Sequence, residues 1–171
     1  MTPIVRLFAL CMVLLVAGCA SNRNGSGAAV DGLSGGAGAG MSGGVNDPTS
    51  VAYFQQSVGD RILFPVDESS LTAAARATLT EQARWLMNNA SYSAVIEGHA
   101  DEQGTREYNL ALGARRASSV QDFLIAQGVS PNRIRTVTFG KERPIEVCSD
   151  EACYAQNRRA VTVLAGGGAG V

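Results

Sequence analysis

A surplus of positive charge is the first thing this sequence lacks. Its 171 residues hold 14 Lys and Arg against 15 Asp and Glu, for a formal net charge of −1. No run of Lys or Arg occurs, so nucleic acid is excluded as an expected partner. Histidine is almost missing. His99 is the only one, a zinc site beside the cysteines would need ligands that the chain does not offer, and no metal or cofactor is expected. A long apolar run is missing too: residues 7–17 make about eleven in a row where a bilayer span needs roughly twenty. Parts for catalysis are equally scarce. His99 stands near Asp101 and Glu102, yet nothing supplies a nucleophile, an oxyanion site or a metal set to act with them, so the chain is not expected to be an enzyme.

What is present begins at the amino end. Arg6 followed by the apolar stretch 7–17 has the form of a secretory signal, expected over residues 1–18. Leu15-Val16-Ala17-Gly18-Cys19 resembles a bacterial lipobox, in which the cysteine is lipidated and becomes the new first residue. Ala20 follows where an aspartate, in lipoproteins of this kind, would favour retention in the inner membrane, so the resemblance implies the outer membrane facing the periplasm. Residues 19–50 are rich in Gly, Ser, Ala and Asn without helical or strand period, and read as a lipidated start and flexible tether. Such a tether spans about 30 Å on average. Cys11 leaves with the signal, which leaves Cys148 and Cys153 as a close pair in a polar loop. In an exported chain they are expected to form a disulfide, and the loop, remote in sequence from Asp101 and Arg116, is expected to leave a site there undisturbed.

Between the tether and a glycine-rich tail at 166–171, strands and helices alternate. Residues 51–54 suggest a short helix or edge segment. Strands are predicted at 61–64, 92–97, 134–139 and 160–164. Helices are predicted from the N-cap Thr72 to Asn88 and from Thr105 to Gln127, with Gly128 at C′ and a short helical piece at 151–156. This alternation argues for an α/β two-layer sandwich over 51–165.

The residues at 96–117 carry the chemistry. Tyr108, Leu112, Arg116, Val120 and Leu124 step by four and share one helix face, so Arg116 interrupts an apolar stripe. A guanidinium so placed cannot shed its charge and needs a carboxylate or comparable acceptors. Asp101 and Glu102, just before the helix, are the candidates. Either Asp101 and Arg116 pair to close the turn onto the helix, or they hold one negative and one positive group for a zwitterionic ligand.

Gly98-His99-Ala100-Asp101, Gly104-Thr105, Tyr108-Asn109, Leu112-Gly113 with Arg115-Arg116-Ala117 and Val120, and Asn157-Arg158-Arg159-Ala160-Val161 together resemble the OmpA-like family of peptidoglycan-binding domains, over roughly residues 58–164. The resemblance implies a mixed sheet with both main helices on one face. It implies that Asp101 holds the ammonium and Arg116 the carboxylate of diaminopimelate in a peptidoglycan stem peptide. Thr105 and Asn109 would add hydrogen bonds, Phe64, Asp67 and Leu112 would line the groove, and Arg158 would close it. For a lipid-anchored member it further implies tethering of the outer membrane to the cell wall, with a TolB-like periplasmic protein and other Tol components as partners. The alternatives are an orphan anchor outside the Tol system and, less favoured, a cell-wall hydrolase.

Overall fold

The computed structural model describes residues 44–166. The signal segment, Cys19, the tether up to residue 43 and the tail from residue 167 lie outside the described residues. Four strands, β1 (Arg61–Leu63), β2 (Tyr92–His99), β3 (Ile134–Gly140) and β4 (Arg159–Gly166), form one mixed sheet in the order β1-β4-β2-β3. β4 runs antiparallel to both β1 and β2, and β2 runs parallel to β3. Among the described residues four α-helices accompany them: α1 (Val51–Tyr53), continued by a π-helical turn over Phe54–Gly59, α2 (Ala73–Asn88), α3 (Arg106–Ala126) and the short α4 (Glu151–Asn157), with a 3-10 turn at Pro131–Arg133 leading into β3.

The helix ends follow local chemistry. Thr72 starts α2 by accepting from Ala75 N at 3.1 Å, Thr105 starts α3 by accepting from Tyr108 N at 3.2 Å, and Asp150 starts α4 by accepting from Cys153 N at 3.1 Å. Gly128, at φ +105°, turns the chain out of α3. α2 and α3 cover one face of the sheet, and Leu79, Leu86, Ile96, Val120 and Leu124 meet there with Phe54 in a single core. Burying each of these large side chains contributes roughly 2 kcal/mol. Gln82, fully buried on α2, is satisfied by donating to Gly59 O at 2.6 Å and accepting from Thr162 Oγ1 at 2.7 Å, which ties the helix to β4.

Three strands run further than their composition suggests, β3 by the single residue Gly140. β4 reaches Gly166 instead of 164, and β2 passes through Gly98 to His99 instead of ending at 97. The predicted break at Gly98 is a continuation with a bulge at Gly98/His99. Its glycine is there for clearance: a Cβ at Gly98 would stand 1.9 Å from Gly113 O on α3. At the amino end, residues 48–50 form a strap: Trp85 Nε1 donates to Pro48 O at 2.7 Å, the Tyr92 hydroxyl donates to Thr49 O at 3.2 Å, and Ser50 Oγ donates to Gly44 O at 2.9 Å.

Candidate functional site

Parallel β2 and β3 end at the same edge of the sheet, and the chain leaves β2 there in a tight turn before α3. Asp101 Oδ1 accepts from Gln103 N at 3.3 Å, and Gly104 takes φ +85°. Three of the turn's carbonyls, those of Glu102, Gln103 and Gly104, are claimed by side chains. Asn109, buried on α3, donates to Gln103 O at 2.7 Å, while Lys141, the chain's single lysine, donates to Gly104 O at 2.6 Å and Glu102 O at 3.3 Å. Asn157 donates to Glu102 Oε1 at 2.6 Å. Asp101 is thereby set on a rigid frame.

A cleft of about 210 Å³ opens beside it, lined by Val66, Asp67, Asp101, Gln103, Gly104 and Tyr108. Asp67 sits at φ +55°, left-handed backbone that aspartate tolerates better than most residues. Its Oδ1 accepts from the Tyr108 hydroxyl at 3.2 Å. Of the residues singled out from sequence, Asp67 and Asp101 line this cleft and Thr105 caps the helix at its edge. Phe64 and Leu112, expected along the groove, are buried instead, because each belongs to the apolar layer beneath.

Arg116 takes the comparable acceptors in place of the carboxylate. It is 0% exposed, and it donates to three carbonyls: Nε to Glu68 O at 2.8 Å, Nη1 to His99 O at 2.8 Å and Nη2 to Pro65 O at 3.0 Å. The Phe64 ring lies 5.1 Å from the guanidinium carbon. Three of five N–H groups are engaged, and one on each terminal nitrogen is left over. Burial pulls its pKa down to about 10, against the opposing pull of Asp101 and Asp67, so the charge persists at neutral pH.

The partner of Asp101 is Arg158, whose Nη1 donates to Asp101 Oδ2 at 3.2 Å. Arg158 also donates Nε to Phe64 O at 3.3 Å and both terminal nitrogens to Glu151, at the start of α4. Burial works against its charge, but the carboxylates of Glu151 and Asp101 raise its pKa overall. Glu151 falls inside the loop closed by the Cys148–Cys153 disulfide, so the cystine loop reaches the site that sequence distance had set apart from it. Sequence reasoning missed Glu151, Lys141, Asn157 and Gln103. For Gln103 and Lys141 the usable signal was the order of strands 92–97 and 134–139, whose parallel pairing brings the residues after both together; Glu151 and Asn157, on α4 ahead of β4, carried none.

His99 turns away from the cleft. Its ring stacks on Phe139 at 5.4 Å, and both nitrogens are buried without a hydrogen-bond partner, with Glu97 Oε2 beyond bonding reach at 3.5 Å from Nε2. The strand ends at His99, and the turn redirects Asp101 and the residues after it. Burial, then the charges of Arg159 and Arg143, lower its pKa from 6.5 to about 4. The unfolded chain takes up this proton near pH 6.5 and the folded one only near 4. Stability is therefore complete above pH 6.5 and falls by roughly 3 kcal/mol as pH drops to 4. Urea unfolding across this window should show that slope, and His99→Phe should flatten it. Parallel decline of both proteins would mean that some other group titrates.

The sequence profile of the OmpA family matches residues 63–158. The chain is 53% identical over 162 residues to the peptidoglycan-associated lipoprotein of Rhizobium meliloti, covering 95% of this chain and 88% of that protein. It is 54% identical over 160 residues to the protein of the same name from Brucella melitensis, covering 94% and 91%. Among solved structures, the crystal structure of the peptidoglycan-associated lipoprotein from Burkholderia pseudomallei superposes with a TM-score of 0.63 at 37% identity, covering 71% of this chain and 98% of that one.

Proposed function

Because the chain belongs to the OmpA family, we propose that it is an outer-membrane lipoprotein that binds peptidoglycan without covalent attachment. The relatives are named for their association with peptidoglycan, and the chain is read here as a binding protein. Its ligand, on this reading, is the diaminopimelate of an uncross-linked stem peptide, which carries an ammonium and a carboxylate on one carbon. The observation that carries the reading is Asp101, fixed on the wall of an open cleft, with Arg116 held charged beneath the loop 65–68 next to it. The ammonium meets Asp101. The carboxylate is taken by Arg116, which keeps one N–H uncommitted on each terminal nitrogen behind the loop that turns through the left-handed Asp67. Thr105, Asn109, Asp67 and Arg158 shape the surroundings, with Phe64 and Leu112 as the floor.

With a signal at 1–18 and a lipidated tether from Cys19 that gives way to the packed strap at 48–50 earlier than expected, the cleft would lie within reach of the cell wall from the membrane. Among the described residues no helix is long and apolar enough to cross a membrane. Work within the Tol–Pal system, beside a TolB-like partner and in cell division, is the fuller form of the proposal. An orphan anchor with the same cleft is the second form. Fractionation tests both ends of the molecule. The full chain should sediment with sacculi, be released by free meso-diaminopimelate, and stay with membranes when sacculi are digested. Cys19→Ser should leave the membrane fraction and still sediment with sacculi. Sedimentation indifferent to diaminopimelate would refute the ligand, and a membrane-bound Cys19→Ser would refute the anchor.

A further inference from the structure

Arg158 lies between two carboxylates. Toward Asp101 it offers a single N–H at 3.2 Å, while Glu151 engages both terminal nitrogens. The larger share of the guanidinium is thus turned away from Asp101. Glu151 is the first residue of the short helix α4, follows the capping Asp150, and lies between Cys148 and Cys153, whose Cα atoms are 6.0 Å apart. The neighbouring loop is fixed from the other side by Asn157, whose Oδ1 accepts from Ile145 N at 2.8 Å and Glu146 N at 3.2 Å. A side chain so exposed as Glu151 would ordinarily gain little from an ion pair. Here the helix and the cystine hold it against a buried guanidinium.

We infer that Glu151 is a positioning residue for the cleft: held by the Cys148–Cys153 loop, it draws off the charge of Arg158 and so leaves Asp101 electrostatically available to a ligand ammonium. Without it the whole guanidinium turns to Asp101, and an incoming cation meets a carboxylate that is already neutralised. This rests on the reading of Asp101 as the ammonium's partner. It makes Glu151 a determinant of charge selectivity that never touches the ligand.

The test measures affinity of the full chain for two soluble stem peptides, one ending in free meso-diaminopimelate and one with its side-chain amine acetylated. Glu151→Gln should weaken the free form roughly five- to tenfold at low salt, less at high salt, because one negative charge has left the neighbourhood of a cation. The acetylated form, already weak, should be unaffected, and Glu151→Asp should restore part of the loss. Cys148→Ser with Cys153→Ser should weaken the free form in the same direction, and adding Glu151→Gln to that variant should cost nothing further. Equal losses for both peptides would reduce Glu151 to a structural prop. Losses that multiply would separate the cystine from Glu151. If Glu151→Gln is silent while Asp101→Asn abolishes binding, this inference falls and the proposed ligand stands; if Asp101→Asn is silent too, both fall.

Discussion

Asp101→Asn is expected to release the folded domain from sacculi, with affinity falling by about 2–5 kcal/mol, the cost of leaving a desolvated ligand charge without its partner. The substitution keeps the shape of the side chain and its acceptor for Gln103 N, so the turn should survive, but it gives up the buried ion pair with Arg158 and the melting temperature should fall, with Glu151 still holding Arg158. Arg116→Leu is expected to behave differently. It strands the carbonyls of Pro65, Glu68 and His99 in the interior, and stability should drop by roughly 3–5 kcal/mol, enough to hide any direct effect on binding. Arg116→Lys is the informative partner, since it keeps the charge and loses the planar fork; if it still folds, binding should be weak. The neighbouring Arg115 is a poor control, because its guanidinium lies 6.0 Å from the centre of the Tyr108 ring at the cleft. A folded Asp101→Asn protein that binds sacculi as well as wild type would remove the cleft from consideration.

The second large effect concerns the crossing of α3 over β2. Gly98 and Gly113 face each other so closely that a Cβ on Gly113 would stand 2.8 Å from Gly98 O and 2.5 Å from Thr138 Oγ1, and one on Gly98 would overlap Gly113 O. Alanine in a helix normally gains about 1 kcal/mol over glycine, but here it must push two backbones apart. Gly98→Ala and Gly113→Ala should each destabilise by about 3 kcal/mol or more, because a carbonyl in a strand or helix cannot rotate out of the way. Gly44→Ala, with nothing within 4 Å, should change nothing. Denaturant midpoints decide it: a Gly98→Ala domain as stable as wild type would mean that α3 rides higher on the sheet than described.

Local chemistry was the legible part of this chain. Thr72 and Thr105 announce their helices because a hydroxyl just before a helical period has an orphan N–H to accept from, and Gly128 marks an exit that only glycine takes without strain. The predicament of Arg116 was legible as well, since a charge within an apolar stripe must be answered. Which groups answer it was not. The carbonyls at 65, 68 and 99 converge on Arg116 only after β1, β2 and α3 have packed, and a sequence period says nothing about where a loop's carbonyls point. The link of Asp101 to Arg158 and Glu151 was hidden for the same reason, because it joins the end of β2 to the helix before β4. Gly98 misled for a different reason. Glycine inside an apolar run reads as a stop, yet here it is the place where two elements touch through their backbones.

On the proposed function the molecule joins two layers of an envelope, and a pull on it would enter the described domain at its amino end, at Gly44. The first bonds to feel it are those of the strap: Ser50 to Gly44, then Trp85 and Tyr92 on the successive carbonyls of Pro48 and Thr49. Each is a lone hydrogen bond to an aromatic or hydroxyl side chain, whereas β1 behind it is stitched to β4 in register. A steady pull would peel the strap one bond at a time before it strained the sheet, lengthening the reach by a few residues while the cleft, at the far end of β2, kept its geometry. Trp85 is the only tryptophan in the chain, so the first increment of that stretch would show as a change in its fluorescence alone.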